Sequence, residues 1–219
     1  MNGKIVVVAA SILAAFAILW PRHEAESTFA PIMAVESQED PLASRAKGSP
    51  TAPVTVFEMS DFQCPYCRRH ALETYPTLER EYVTSGKVRW VFVNFPLPMH
   101  PNATPAAEVA MCGAQQGKFW PIHDLLFEHQ AVWAPLKEPA EFMLSLADSV
   151  GADRAQLTSC VEGKQTRNIV ESDAMGAAQA GAQSTPTFYI EGGLLVGAYP
   201  IEVFRQILDS VHTAKTSGK

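Results

Sequence analysis

The chain lacks the basic stripe on which phosphate binding depends. Among its 219 residues 17 Lys and Arg stand against 23 Asp and Glu, a formal net charge of −6, which excludes nucleic acid as its main partner. It has no internal repeat and no low-complexity segment, so repeat arrays are excluded too. Cysteine is scarce, four in all, at positions 64, 67, 112 and 160. A zinc site built on the first two would need two more ligands. Cys112, Cys160, His70 and His100 are available, but no second C-x-x-C or H-x-x-x-H pair stands among them. No metal and no cofactor is expected.

What is present centres on Cys64-Pro65-Tyr66-Cys67, set directly after the apolar run Val54-Thr55-Val56-Phe57-Glu58-Met59. Two cysteines at this spacing can close a small disulfide ring at a helix start. There the free N–H groups and the positive end of the helix dipole favour a thiolate on the first cysteine. A thiolate is the attacking species in disulfide exchange. A strand feeding a turn that opens a helix is the setting in which C-x-x-C reads as a redox motif. Half a zinc site and an inert structural disulfide are the bland alternatives.

The N-terminus differs in kind. Lys4 precedes an uninterrupted apolar run over residues 5–20, closed by Pro21, Arg22, His23 and Glu24. That is the grammar of a secretory signal. The run is long for a cleaved segment and short for a comfortable membrane span. Residues 1–22 therefore read as a signal peptide or an N-terminal membrane anchor, with residues 5–20 as the tether in the second case. Either way the rest is expected in the periplasm or another extracytoplasmic space, where disulfides persist. Residues 23–48 mix Pro, Glu, Ser and Ala without periodicity and read as a linker. The remainder, 49–215, is expected to form one domain.

Within it, residues 52–59 and 87–95 predict buried strands. A helix runs between them from Pro65 through Tyr75, Leu78 and Tyr82, with a kink at Pro76 and an end at Ser85-Gly86. From about 100 to 181 the pattern is helical: 103–116, 119–130, 141–150, 154–161 and 165–180. β character returns over 187–190 and 194–196, a hairpin turning at Glu191-Gly192-Gly193, and Pro200 opens a last helix. Two strands joined by a helix must pair parallel, and the hairpin adds antiparallel strands. The fold class is α/β, a central mixed sheet flanked by helices, with a helical domain inserted over about 100–181.

Three separated stretches resemble the DsbA-type family of exported thiol:disulfide oxidoreductases, of the thioredoxin-like superfamily. They are Phe62-Gln63-Cys64-Pro65-Tyr66-Cys67, Gly117-Lys118-Phe119-Trp120 with His123-Asp124, and Thr185-Pro186-Thr187-Phe188. The likeness spans about residues 50–212 and implies a thioredoxin fold. It implies a cis peptide at Pro186, whose loop lies against the cysteine sulfurs and pairs with an extended client strand. Cys64 is then the attacked and attacking thiol and Cys67 the resolving one. Pro65, Tyr66 and Thr185 face the client. Glu58, at the position of the family's buried acid, relays the proton of Cys67; a strand-end carboxylate in solvent is the alternative.

The departures also matter. The inner dipeptide of the best-known members is often Pro-His, and Tyr66 cannot supply an imidazolium. Residue 185 is Thr rather than an apolar β-branched residue. Cys64 is therefore expected below an ordinary thiol but above the ~3.5 of the strongest oxidant.

Cys112 and Cys160 are expected to pair as a structural disulfide, with two free thiols or a second redox couple as alternatives. His70, one turn after Cys67, is expected on a solvated helix face, with tuning of the cysteine site as the alternative. Met99-His100 is a weak copper motif. Trp90, Phe92, Phe119, Trp120, Phe127 and Trp133 are expected as packing.

The function expected is oxidation of client thiols, with cysteine-containing proteins as clients and a membrane or soluble redox partner recharging the disulfide. The alternatives are a reductase or isomerase of the same fold, or a metal-binding or chaperone-like module using Cys64 and Cys67 as ligands. A monomer is expected.

Overall fold

The computed structural model describes residues 42–217. The signal or anchor expected over 1–22 and most of the linker expected over 23–48 lie outside them. Five strands form one mixed sheet: β1 (Ala46–Lys47), β2 (Val54–Ser60), β3 (Val88–Asn94), β4 (Thr187–Ile190) and β5 (Gly193–Val196), in the order β1-β3-β2-β4-β5. β2 and β3 pair in parallel with Val54 opposite Val88 and Ser60 opposite Asn94. The other three pairings are antiparallel. This is the thioredoxin-like arrangement, and its parallel pair follows from the helix that joins β2 to β3.

That connection, α1, is one helical stretch over residues 65–83 with Pro65 in its first turn. The helix is widened on either side of Pro76. Pro has no N–H to donate and its ring crowds the carbonyl one turn back. The turn His70–Thr74 is widened, and Tyr75 donates to the His70 carbonyl five residues back. A second wide turn, Glu79–Val83, closes the same way, Thr84 N–H to Glu79 O at 2.8 Å.

Strand periodicity sorts β2 onto two cores. Val54 and Val56 face α1 and the last helix, α8 (Ile201–Thr216), packing with Trp90, Phe188 and Phe204. Phe57 and Met59 face the other side, with Leu42, Val91, Val93 and Ala177. Between β3 and β4 lie α2 (Ala103–Ala114), α3 (Phe119–Glu128), α4 (Gln130–Trp133), α5 (Ala140–Ser149), α6 (Arg154–Glu162) and α7 (Arg167–Gln179). Their shared core is built on Phe119, Ile122, Phe127, Trp133 and Leu157. α2 and α3 approach closely at Gly113, where any side chain would meet Ile122. Cys112 of α2 and Cys160 of α6 are joined by a disulfide across 48 residues of chain.

Residues 42–48, read from sequence as linker, belong to the folded unit. Leu42 is in the core and β1 pairs with β3 at Ala46↔Val91 and Lys47↔Trp90. Arg45 is buried against Asp173 of α7 in a two-pronged ion pair, one contact of which is 2.7 Å, and Asp173 also accepts from Asn94 Nδ2 at 2.8 Å. A two-residue strand is too short to show periodicity, and a buried arginine reads from sequence as a surface one.

Candidate active site

Cys64 caps α1 in extended conformation, and the chain turns helical at Pro65. Cys67 is wholly buried one turn on, and both cysteines are free thiols. The sulfurs differ in environment. The Cys64 thiol is lowered to about 6. The hydrogen bond from Cys67 is the chief cause. Partial burial opposes it, and the Thr185 hydroxyl and the N–H groups of Cys67 and Tyr66 add to the lowering. Burial pushes the Cys67 thiol well up, and the charge on Cys64 pushes it further, against weaker help from the Ser60 hydroxyl and the Asp61 N–H. Asp61 N lies 3.5 Å from Cys67 Sγ. One sulfur is thus set to be a thiolate at neutral pH and its neighbour to stay protonated.

The Thr185–Pro186 peptide is cis, and the Thr185 carbonyl accepts from Cys64 Sγ at 3.5 Å. Beside it an open groove of about 410 Å³ is lined by Tyr66, Arg69, Thr185, Val196 and Tyr199. Tyr66 is 57% exposed and Val196 48%, so an apolar, wet surface adjoins the reactive sulfur. Arg69 spans the groove, its guanidinium 5.3 Å from the Tyr66 ring and donating to Ala198 O at 3.0 Å.

The residues singled out in the sequence divide as follows. Cys64, Cys67, Pro65, Tyr66, Thr185 and Pro186 come together in one place. Glu58 is buried, not solvated, two residues before Ser60 on the same face of β2, and accepts from Trp90 Nε1 at 2.8 Å. The expectation of a solvated His70 is overturned: the ring is fully buried against Trp90, Phe188 and Phe204. Three residues after Cys67 it shares that residue's inward face, and burial lowers it to about 4 despite the opposing pull of Glu58. Met99 is exposed, while His100 Nδ1 is held by Asp61 Oδ2 at 2.7 Å. The Cys112–Cys160 bridge lies within the helical block. Among the described residues no three His, Cys, Asp or Glu side chains gather to hold a metal.

Polar residues that the sequence did not single out fasten the helical block to the cysteine loop. Gln130 donates to Phe62 O at 2.6 Å and Cys64 O at 3.0 Å. Gln63 accepts from Asn102 N at 2.7 Å and donates to Ala134 O, and Arg68 Nε donates to Phe127 O at 3.0 Å. Asp61 takes Gln63 N–H and Leu97 N–H on its two oxygens. Only Gln63, adjacent to the motif, carried any signal. The rest are uncharged or surface-type residues whose partners are distant in sequence.

The family described as Thioredoxin matches residues 42–210. A Na(+)/H(+) antiporter of Salinispora tropica is 34% identical over 164 residues, 74% of this chain and 24% of that protein. The chain thus spans about a quarter of the antiporter it matches. A probable disulfide bond formation protein D of Bacillus anthracis is 29% identical over 150 residues, 67% of this chain and 69% of that one. In structure, oxidised BdbD from Bacillus subtilis superposes with a TM-score of 0.71 at 22% identity, covering 77% of this chain and 92% of its own.

Proposed function

This chain belongs to the thioredoxin family, and from that premise we propose that it is an exported thiol:disulfide oxidoreductase which introduces disulfides into client proteins at Cys64 and Cys67. One observation carries the reading: a Cys64 thiol lowered to about 6 stands over a buried Cys67 whose thiol is raised. An acidic Cys64 is a good leaving group and stabilises the reduced couple, which makes the oxidised couple a willing acceptor of electrons.

The steps balance as follows. A client thiolate attacks Cys64 Sγ, the Cys64–Cys67 bond breaks, and its electron pair leaves on Cys67 Sγ, which takes a proton. A second client thiolate then attacks the client sulfur of the mixed disulfide, and Cys64 departs as thiolate. The client has lost two electrons and gained its bridge; the enzyme holds them as a dithiol. A membrane or soluble redox partner reoxidises it. The Tyr66–Val196–Tyr199 groove, beside the Thr185–Pro186 loop, offers the client an extended, apolar seat. Glu58 relays the Cys67 proton from below. Among the described residues no helix is long and apolar enough to cross a membrane.

The test is turnover of a reduced, unfolded client by an equimolar amount of oxidised protein. Client thiols should disappear as Cys64 and Cys67 become free, and Cys64→Ser should abolish it. Reshuffling of a scrambled client without net oxidation would instead mark an isomerase. No turnover at all would mark a binding module.

A further inference from the structure

A histidine is sealed beneath α1 among aromatic rings. His70 has no exposed surface, and the rings of Phe188, Phe204 and Trp90 lie 4.6, 5.3 and 5.8 Å from it. Neither ring nitrogen has a hydrogen-bond partner among the described residues, and neither has Glu58 Oε1. Burying such groups unpaired destabilises the fold, and a hydrocarbon ring would fill the space without that penalty. What imidazole adds is a site for a proton. Its Nε2 lies 3.8 Å from Glu58 Oε2. Ser60, next on the same face of β2, brings its otherwise unpartnered hydroxyl to bear on Cys67. Ser60, Glu58 and His70 therefore lie on one side of the sheet, beneath the cysteine pair.

We propose that His70 is a positioning residue for proton transfer at Cys67: it holds the Glu58 carboxylate that forms when Glu58 gives its proton to the departing sulfur. The inference rests on Cys64 and Cys67 cycling as described. As the client sulfur bonds to Cys64, the electron pair of the broken S–S bond stays on Cys67 Sγ. The Glu58 proton goes to that sulfur. Glu58 is left as a buried anion with Trp90 Nε1–H on one side and His70 N–H on the other. On reoxidation the Cys67 proton returns. Burial keeps His70 neutral near pH 7, so it acts as an N–H donor rather than a fixed charge. The titratable groups facing it are Glu58 from β2, His123 from α3 and Tyr75 from its own helix. β3, β4 and α8 offer only Trp90, Phe188 and Phe204, none of which titrates.

Carboxyl NMR of the oxidised protein tests this without any client. In His70→Phe, Glu58 should bind its proton about tenfold more tightly than in the wild type, and His70→Gln, which keeps an N–H donor, should return it toward the wild-type value. The pH profile of client oxidation should shift in the same direction in His70→Phe and not at all when the change is made in a Glu58→Gln background. An unchanged Glu58 titration in His70→Phe, or in His70→Leu should the first variant not fold, overturns the inference, as does a profile shift that survives Glu58→Gln. A wild type that fails to oxidise clients overturns the proposed function instead, and the NMR arm still decides the role of His70.

Discussion

At the residue scale the two active cysteines have the same side chain and opposite acidities, because hydrogen bonds converge on the Cys64 sulfur while burial dominates at Cys67. Labelling of Cys64 with iodoacetamide should follow a titration centred near pH 6, and a midpoint above 8 would contradict the site as described. Cys67→Ala removes the largest cause of the lowering, so the Cys64 midpoint should rise in that variant. His70 gives a second, independent pH dependence. Its proton affinity is depressed in the folded chain, from 6.5 to about 4. The unfolded chain therefore takes up a proton first as pH falls. Stability is lost between pH 6.5 and 4, by about 3 kcal/mol, and no further below that window. Urea unfolding at pH 7 and pH 4 should show a smaller acid loss in His70→Phe than in the wild type; an equal loss would place the acid sensitivity elsewhere.

Elements hold these residues through contacts that the sequence displays unevenly. The Cys112–Cys160 bridge closes 48 residues of chain between α2 and α6. Replacing both cysteines by serine should cost about 4 kcal/mol on the loop-entropy account, measured by urea unfolding, while Cys64 labelling stays as in the wild type. A changed Cys64 midpoint would mean that the bridge reaches the active site. Arg45 ties the segment before β1 to α7, and Arg45→Met strands Asp173 with only Asn94 as donor. Removing one partner of a buried ion pair costs about 3–5 kcal/mol, and a loss below 1 kcal/mol would show Asp173 to be relieved another way. Strands β2 and β3 and the hairpin were legible because alternation, β-branching and turn residues agree locally. β1 was not, since two residues carry no period and its reason for being a strand is Val91, far along the chain. Pro76 was legible as a disturbance, but the widened turns on either side of it depend on how α1 lies on the sheet.

The whole molecule places its reactive pair where the helical block meets the sheet. Cys64, Cys67 and Phe62 belong to the core of the helices, while Glu58 and His70 lie on the sheet side beneath them. Motif order made that junction readable: a C-x-x-C after one strand and a Thr-Pro before another can meet only if the sheet brings β2 and β4 side by side, as it does. The burial of His70 was not readable, because a histidine one turn beyond a motif looks the same whether that face meets solvent or a sheet. Nor were the polar ties from Gln130 and Asn102, which have no local pattern. The proposed oxidase depends on a Cys64–Cys67 disulfide that draws electrons from clients because the Cys64 thiolate it yields is stabilised. The equilibrium potential of the Cys64–Cys67 couple in glutathione buffers tests that most directly. It should lie at or above roughly −180 mV, on the oxidising side of the glutathione pool, whereas a value near −270 mV or lower would make the protein an electron donor and contradict the account.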